Sequence, residues 1–253
     1  LISNLRINLK GLDFEINRGD FVSIMGPSGS GKEVAARLLH QRSSRANGPF
    51  VVLNAASMTP DRVEVELFGV EKELNSPETK ARRGTLEQAH SGTLFIDEVA
   101  EMPLETQAKI LRVLQEQSFT RVGGDQRIDV DVRFISATTR DLMAEISAGR
   151  FRKDLYHRLN VVPIELTSLT SRTEDIHLLI EYFKDKLSEI NGVQQPKIDI
   201  KNDNLYTYNW PGNVRELRNL VERVTILSAN ESKENINKLM DDILSSSSST
   251  EKD

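Results

Sequence analysis

FVSIMGPSGSGK at residues 21–32 and GTLFIDE at residues 92–98 decide the fold of this chain. The first is a short apolar run, Phe21 to Met25, feeding a glycine-rich loop that ends in Lys32. The second is an apolar run that ends in two adjacent carboxylates, Asp97 and Glu98. Short apolar runs of this kind read as strands buried on both faces. After the loop comes an amphipathic stretch, with Val34, Leu38 and Leu39 apolar among polar neighbours, which reads as a helix. A loop carrying Gly26, Gly29 and Gly31 turns backbone N–H groups toward anionic oxygens and lacks the Cβ atoms that would block them. The helix behind it adds its positive N-terminal end. Lys32 can then reach the outer phosphates of a nucleoside triphosphate. Asp97 can hold Mg²⁺ directly or through water, and Glu98 can orient and polarise an attacking water. Position 33 is Glu, where a generic phosphate loop has a cation-binding Ser or Thr.

Size and composition bound the rest. The chain has 253 residues, enough for one large α/β domain and a small second one. Hydrophobic residues make up 38% and charged residues 28%, the balance of a globular protein without a membrane span. No basic-then-apolar signal segment opens the sequence. There are no cysteines, which excludes disulfides, a thiol nucleophile and a zinc–thiolate site, and fits the cytoplasm. The four histidines are scattered, none at metal-ligand spacing, so Mg²⁺ held with nucleotide is the one metal expected. A net charge of −5 gives no electrostatic footprint for nucleic acid.

Residues 1–20 alternate apolar and polar and predict a short hairpin lead-in. Strands are expected at 21–25, 50–54, 93–97, 132–138 and 161–165, with helices at 32–41, 59–68, 104–117, 141–148 and 153–159. Alternation of this kind predicts an α/β fold, a parallel sheet covered by helices on both faces, over residues 21–168. Its ligand belongs at the carboxyl ends of the strands. From Leu169 the pattern turns helical. Ile176, Leu179, Ile180, Phe183, Leu187 and Ile190 form one apolar stripe, and Val214, Leu217, Val221 and Val224 another. Residues 169–240 therefore read as a small helical subdomain. Residues 241–253, with serine at 245–249, read as a flexible tail.

Longer motifs carry a resemblance. ELFG at 66–69, GTLFIDEVAEMP at 92–103, QAKILRVLQEQSFTRVGG at 107–124, GRFRKDLYHRLNVVP at 149–163 and WPGNVREL at 210–217 occur in order. Together they resemble the central AAA+ ATPase domain of bacterial enhancer-binding proteins, which activate sigma-54 RNA polymerase. EVAARLLH at 33–40 and GTLEQAHSGTL at 84–94 look most like the NtrX type of nitrogen-regulation response regulator. The resemblance implies a P-loop three-layer α/β/α sheet with a helical lid, ATP and Mg²⁺ as ligands, and a ring homo-oligomer of six or seven subunits. It places Gly26, Pro27, Ser28, Gly29, Ser30, Gly31, Lys32, Glu33, Asp97 and Arg215 against nucleotide, Arg215 as the second sensor. Among catalytic residues it implies Glu98, a switch asparagine at Asn54 that holds Glu98, and a first sensor at Thr138. Arg152 and Arg158 match arginine fingers that act on the ATP of a neighbouring subunit.

Four departures qualify the match. The family's GAFTGA loop is replaced by ELNSPETKARR at 73–83, which puts direct sigma-54 contact in doubt. The first-sensor pair, usually Thr-Asn, is Thr138–Thr139. Residues 1–32 resemble the opening of an ABC transporter ATPase, although no serine–glycine–glycine–glutamine signature follows. A receiver domain and a DNA-reading helix-turn-helix are not in this sequence, so any transcription apparatus would be reached through a longer protein. The main expectation is an ATP-hydrolysing regulator module. The alternatives are a nucleotide-gated assembly module with little hydrolysis, and a transport ATPase.

Overall fold

The computed structural model describes residues 21–71, 81–191, 198–199, 202–227 and 233–249. The hairpin expected at 1–20 and most of the 73–83 segment lie outside the described residues. The chain divides into two compact units. One holds the chain up to Met25 and Lys32–Glu165, the other Gly26–Gly31 and the chain from Leu166 onward.

The first unit is built on five parallel strands: β1 (Val22–Met25), β2 (Phe50–Asn54), β5 (Thr93–Asp97), β8 (Arg133–Thr138) and β9 (Val162–Glu165), in the order β2-β5-β8-β1-β9. Its principal helices are α1 (Lys32–Gln41), α2 (Pro60–Phe68), α4 (Leu104–Glu116), α5 (Leu142–Ser147) and α6 (Lys153–Leu159). Alternate strand residues go to opposite faces. Leu94, Ile96 and Phe134 join a core with Val63 and Leu67 of α2, Ile110 and Leu114 of α4, and Leu155 of α6. Val22, Ile24, Phe95, Ile135 and Ala137 are equally buried but alternate with that set, on the face where α1 packs with Ala35 and Ala36. Both faces are covered, hence the near-continuous apolar runs.

Smaller elements escaped the sequence reading. β3 (Gly69–Val70) and β4 (Arg82–Arg83) pair antiparallel and are followed by the single-turn α3 (Thr85–Gln88). β6 (Ser118–Thr120) and β7 (Arg127–Asp129) form a hairpin. Its turn signal is the Gly123–Gly124 pair, where Gly123 takes φ +75°.

The second unit is helical. A 3₁₀ segment, Leu169–Asp175, leads into α7 (Ile176–Asn191); α8 (Asn204–Thr207), α9 (Asn213–Leu227) and α10 (Lys233–Ser249) follow. α9 packs against both α7 and α10. The core collects Ile176, Ile180 and Leu187 with Leu217, Val221, Val224 and Trp210. Ile190, expected in the stripe, is 71% exposed because it falls at the end of α7, beyond the packed turns. The flexible tail is also corrected: helix continues through Ser249. Ile236, Met240 and Leu244 repeat every four residues and are buried, so packing carries the helix into the serine run despite serine's weak propensity.

Candidate functional site

Sheet order explains the site of the first unit. β8 lies between β1 and β5, with Met25 beside Thr138, while Asn54 sits beside Asp97. The carboxyl ends of β2, β5 and β8 thus bring Asn54, Asp97, Glu98 and residues 138–139 together, with Lys32 opening α1 nearby. Lys32 Nζ lies 3.9 Å from a Glu98 oxygen, and Lys32 is 7% exposed. Glu98 takes a left-handed backbone, φ +53°, a strain that locates special geometry after the strand ends. Burial, and then the adjacent Glu98 carboxylate, push Asp97 above the ordinary aspartate range, with Lys32 opposing them.

Two expected contacts are redistributed. Asn54 Nδ2 donates to Asp97 Oδ2 at 3.3 Å, not to Glu98, because parallel pairing sets residues 54 and 97 side by side. Thr138 is fully buried as the last residue of β8, and its hydroxyl accepts the Arg140 N–H at 3.1 Å. The next residue has left the strand. Thr139 donates its N–H and its hydroxyl to Glu98 Oε2, both at 3.0 Å. In sequence, Thr139 is marked only as the departure from the usual Thr-Asn pair. Glu33, at the first turn of α1, ion-pairs with Arg37 one turn on, at 2.6 Å.

Arg152 stands just before α6 and Arg158 in its last turn, each held by other partners. Arg152 makes a two-pronged pair with Asp154, at 3.0 and 2.7 Å. Arg158 lies 4.8 Å above the Phe21 ring and donates to the Leu114 carbonyl at 3.3 Å. Neither has a polar contact with Lys32, Asp97 or Glu98 among the described residues. The turn before α6 is fixed by Gln107, wholly buried on α4. It donates to the Met102 and Arg150 carbonyls at 2.7 and 3.0 Å and accepts the Arg152 N–H at 2.9 Å. Its signal was present, since a buried glutamine in an apolar helix stripe demands partners.

In the second unit the glycine loop meets the start of α9. The Ser30 N–H donates to the Pro27 carbonyl at 3.2 Å, closing a turn. Arg215 donates to the Ser28 hydroxyl at 3.2 Å. Asn213 Nδ2 donates to the Ser28 carbonyl at 2.9 Å, and Arg172 Nη2 to the Ser30 carbonyl at 2.8 Å. A Cβ on Gly29 would sit 2.2 Å from the Gly212 carbonyl oxygen, and the φ of +75° also demands glycine. A Cβ on Gly31 would meet nothing within 4 Å, so space stands open beside the loop. Ser30 Oγ is buried without a partner among the described residues. Open space and an orphaned hydroxyl on the loop suit phosphate oxygens, and within the first unit a buried lysine beside an acidic pair suits phosphate with a divalent cation.

A glycine loop after a parallel strand, an acidic pair ending a second strand and a helical lid define a P-loop NTPase of the AAA+ class. Residues 13–165 match the family described as Sigma-54 interaction domain, and residues 170–253 the AAA+ ATPase lid domain. The chain belongs to the sigma-54 interaction domain family. It is 54% identical over 208 residues to the nitrogen assimilation regulatory protein NtrX of Azorhizobium caulinodans, covering 82% of this chain and 45% of that protein. It is 48% identical over 214 residues to the transcriptional regulator NtrC of Azospirillum brasilense, covering 83% and 44%. The crystal structure of NtrX from Brucella abortus in complex with ATP aligns with a TM-score of 0.79 at 50% identity, covering 85% of this chain and 47% of that one. The chain spans about half the length of the curated relatives it matches. The family match starts at residue 13, inside the stretch that had suggested a transport ATPase, and that alternative falls with it. Among the described residues no helix is long and apolar enough to cross a membrane.

Proposed function

We propose that this chain binds ATP and hydrolyses it as the motor module of a cytoplasmic NtrX-like transcription regulator, working as a ring homo-oligomer. The observation that carries the reading is the cluster of Lys32, Asp97, Glu98 and Thr139 at the carboxyl ends of the strands, next in sequence to the glycine loop. Loop N–H groups of residues 29–32 bind phosphate oxygens, and Lys32 adds a positive charge to the outer ones. Asp97 would hold Mg²⁺, which would supply positive charge against the phosphates. Glu98 orients the attacking water and takes its proton, and Thr139 fixes the carboxylate that does so. Arg152 and Arg158 contribute from a neighbouring subunit, where a guanidinium stabilises the charge of the transition state. Arg215 follows the γ-phosphate from the lid. Transcription machinery is reached through the longer protein.

A second reading, nucleotide-driven assembly with little turnover, is favoured by one observation. Asn54 engages Asp97 instead of Glu98, so the switch that would release the catalytic carboxylate is not wired as the family resemblance implied. Sizing with and without a non-hydrolysable ATP analogue, beside an ATPase assay, separates the two. Lys32→Ala is expected to lose nucleotide binding and assembly, while Glu98→Gln keeps both and loses turnover. Equal loss of binding in both variants overturns the assigned roles. Assembly with no turnover in the wild-type protein selects the second reading.

A further inference from the structure

The phosphate loop shows its carbonyl side to two side chains of the helical unit. Asn213 Nδ2 holds the Ser28 carbonyl at 2.9 Å, and Arg172 Nη2 holds the Ser30 carbonyl at 2.8 Å. A trans peptide is planar, with its C=O and the following N–H pointing in opposite directions. A partner that fixes the Ser28 carbonyl therefore fixes the Gly29 N–H on the opposite side. The same holds for the Ser30 carbonyl and the Gly31 N–H. We propose that Asn213 and Arg172 are positioning residues for phosphate binding, aiming the Gly29 and Gly31 N–H groups by gripping the carbonyls behind them. The inference rests on the ATP-binding reading.

Both residues are held in place behind the loop. Asn213 is 3% exposed and sits in the left-handed region, φ +53°, which asparagine tolerates better than most residues. Its other amide atom, Oδ1, accepts the Leu169 N–H at 2.8 Å, so the amide joins the loop to the 3₁₀ segment that carries Arg172. Arg172 takes an irregular backbone inside that segment, φ −142° and ψ 50°. Its guanidinium is pushed below its ordinary pKa by burial, and its Nε is buried without a partner among the described residues. An arginine buried at that cost behind the loop is offset there by the carbonyl it grips. Arg215 differs from this pair, since it touches the Ser28 side chain and leaves the backbone alone.

The test uses variants that keep the fold. Asn213→Asp tolerates the same backbone and keeps an acceptor for the Leu169 N–H, but sets an oxygen against the Ser28 carbonyl. Asn213→Gly keeps the backbone and removes the side chain. Arg172→Met removes the donor, and Arg172→Lys restores a shorter one. Two quantities are measured: ATP affinity by calorimetry, and amide exchange of residues 26–31 in nucleotide-free protein. Asn213→Asp and Arg172→Met are expected to weaken ATP binding roughly tenfold and to speed loop exchange by a similar factor, with the melting temperature held. Arg172→Lys recovers part of both. Wild-type affinity and wild-type loop exchange in Asn213→Asp and Arg172→Met overturn the proposal, as does a fall in melting temperature with affinity unchanged. A wild-type protein that binds no ATP overturns the nucleotide reading instead, and the loop exchange then decides whether the grip exists.

Discussion

Thr139 gives its backbone N–H and its hydroxyl to one oxygen of Glu98, each at 3.0 Å. Two donors on one carboxylate oxygen fix the rotation of the group and leave Oε1 facing Lys32 at 3.9 Å. A carboxylate that must accept a proton from water gains from a fixed direction. Thr139→Val removes one donor and leaves the other. A hydrogen bond to a charged group is worth ~1.5–3 kcal/mol, so kcat should fall roughly tenfold or more. ATP affinity should stay the same, since Thr139 engages Glu98. Unchanged kcat would show that the backbone N–H alone suffices.

Arg152 and Arg158 are occupied by Asp154, Phe21 and the Leu114 carbonyl within their own chain. If they act on a neighbour's nucleotide, turnover per subunit rises with protein concentration. Subunits carrying Arg158→Ala mixed with subunits carrying Lys32→Ala should regain activity that neither has alone. An arginine finger is worth on the order of 10³-fold in rate, so the regain is measurable. Concentration-independent turnover argues against a finger supplied in trans.

The segment 73–83 reads ELNSPETKARR; its last two residues, Arg82 and Arg83, form β4, and most of the rest lies outside the described residues. A loop that grips a protein partner needs a compact apolar or aromatic anchor, because such anchors carry most interface energy. One leucine and a cluster of charges do not supply it. Purified sigma-54 and this chain should form no stable complex in the presence of ADP–aluminium fluoride. A nucleotide-dependent complex in a pull-down would show another means of contact.

Glu145 accepts from Arg150 at 2.7 and 2.9 Å, and these hydrogen bonds hold its carboxyl below the usual glutamate range. A carboxyl whose folded value is depressed adds stability above its unfolded value and loses it as pH falls through the folded one. The wild-type protein should therefore melt above Glu145→Gln at neutral pH, and the gap should close on acidification below the glutamate range. A gap that persists at low pH, measured by thermal denaturation, would assign the difference to packing.

The large elements were legible because their signals are local. The five strand runs and the helix stripes at 32–41 and 153–159 carry their own periodicity, and the motifs fixed Lys32, Asp97 and Glu98. What escaped was set by neighbours. Nothing local distinguishes Thr139 from Thr138; the strand ending at Thr138 and the left-handed Glu98 decide which one meets the carboxylate. Asn54 was matched to Glu98 by motif, whereas strand register gave it to Asp97. The serine run read as a tail because composition does not record that Met240 and Leu244 are buried.

The 2.2 Å approach between a Cβ on Gly29 and the Gly212 carbonyl has a practical consequence for chimera design. The loop and the lid share one van der Waals envelope, so they form a single transplantable part although most of the sequence separates them. Grafting this lid onto another ATPase without residues 26–31 would juxtapose surfaces shaped for different partners. A graft that carries GPSGSG together with WPGN brings its own fit along, and library diversity at either segment should be sampled jointly.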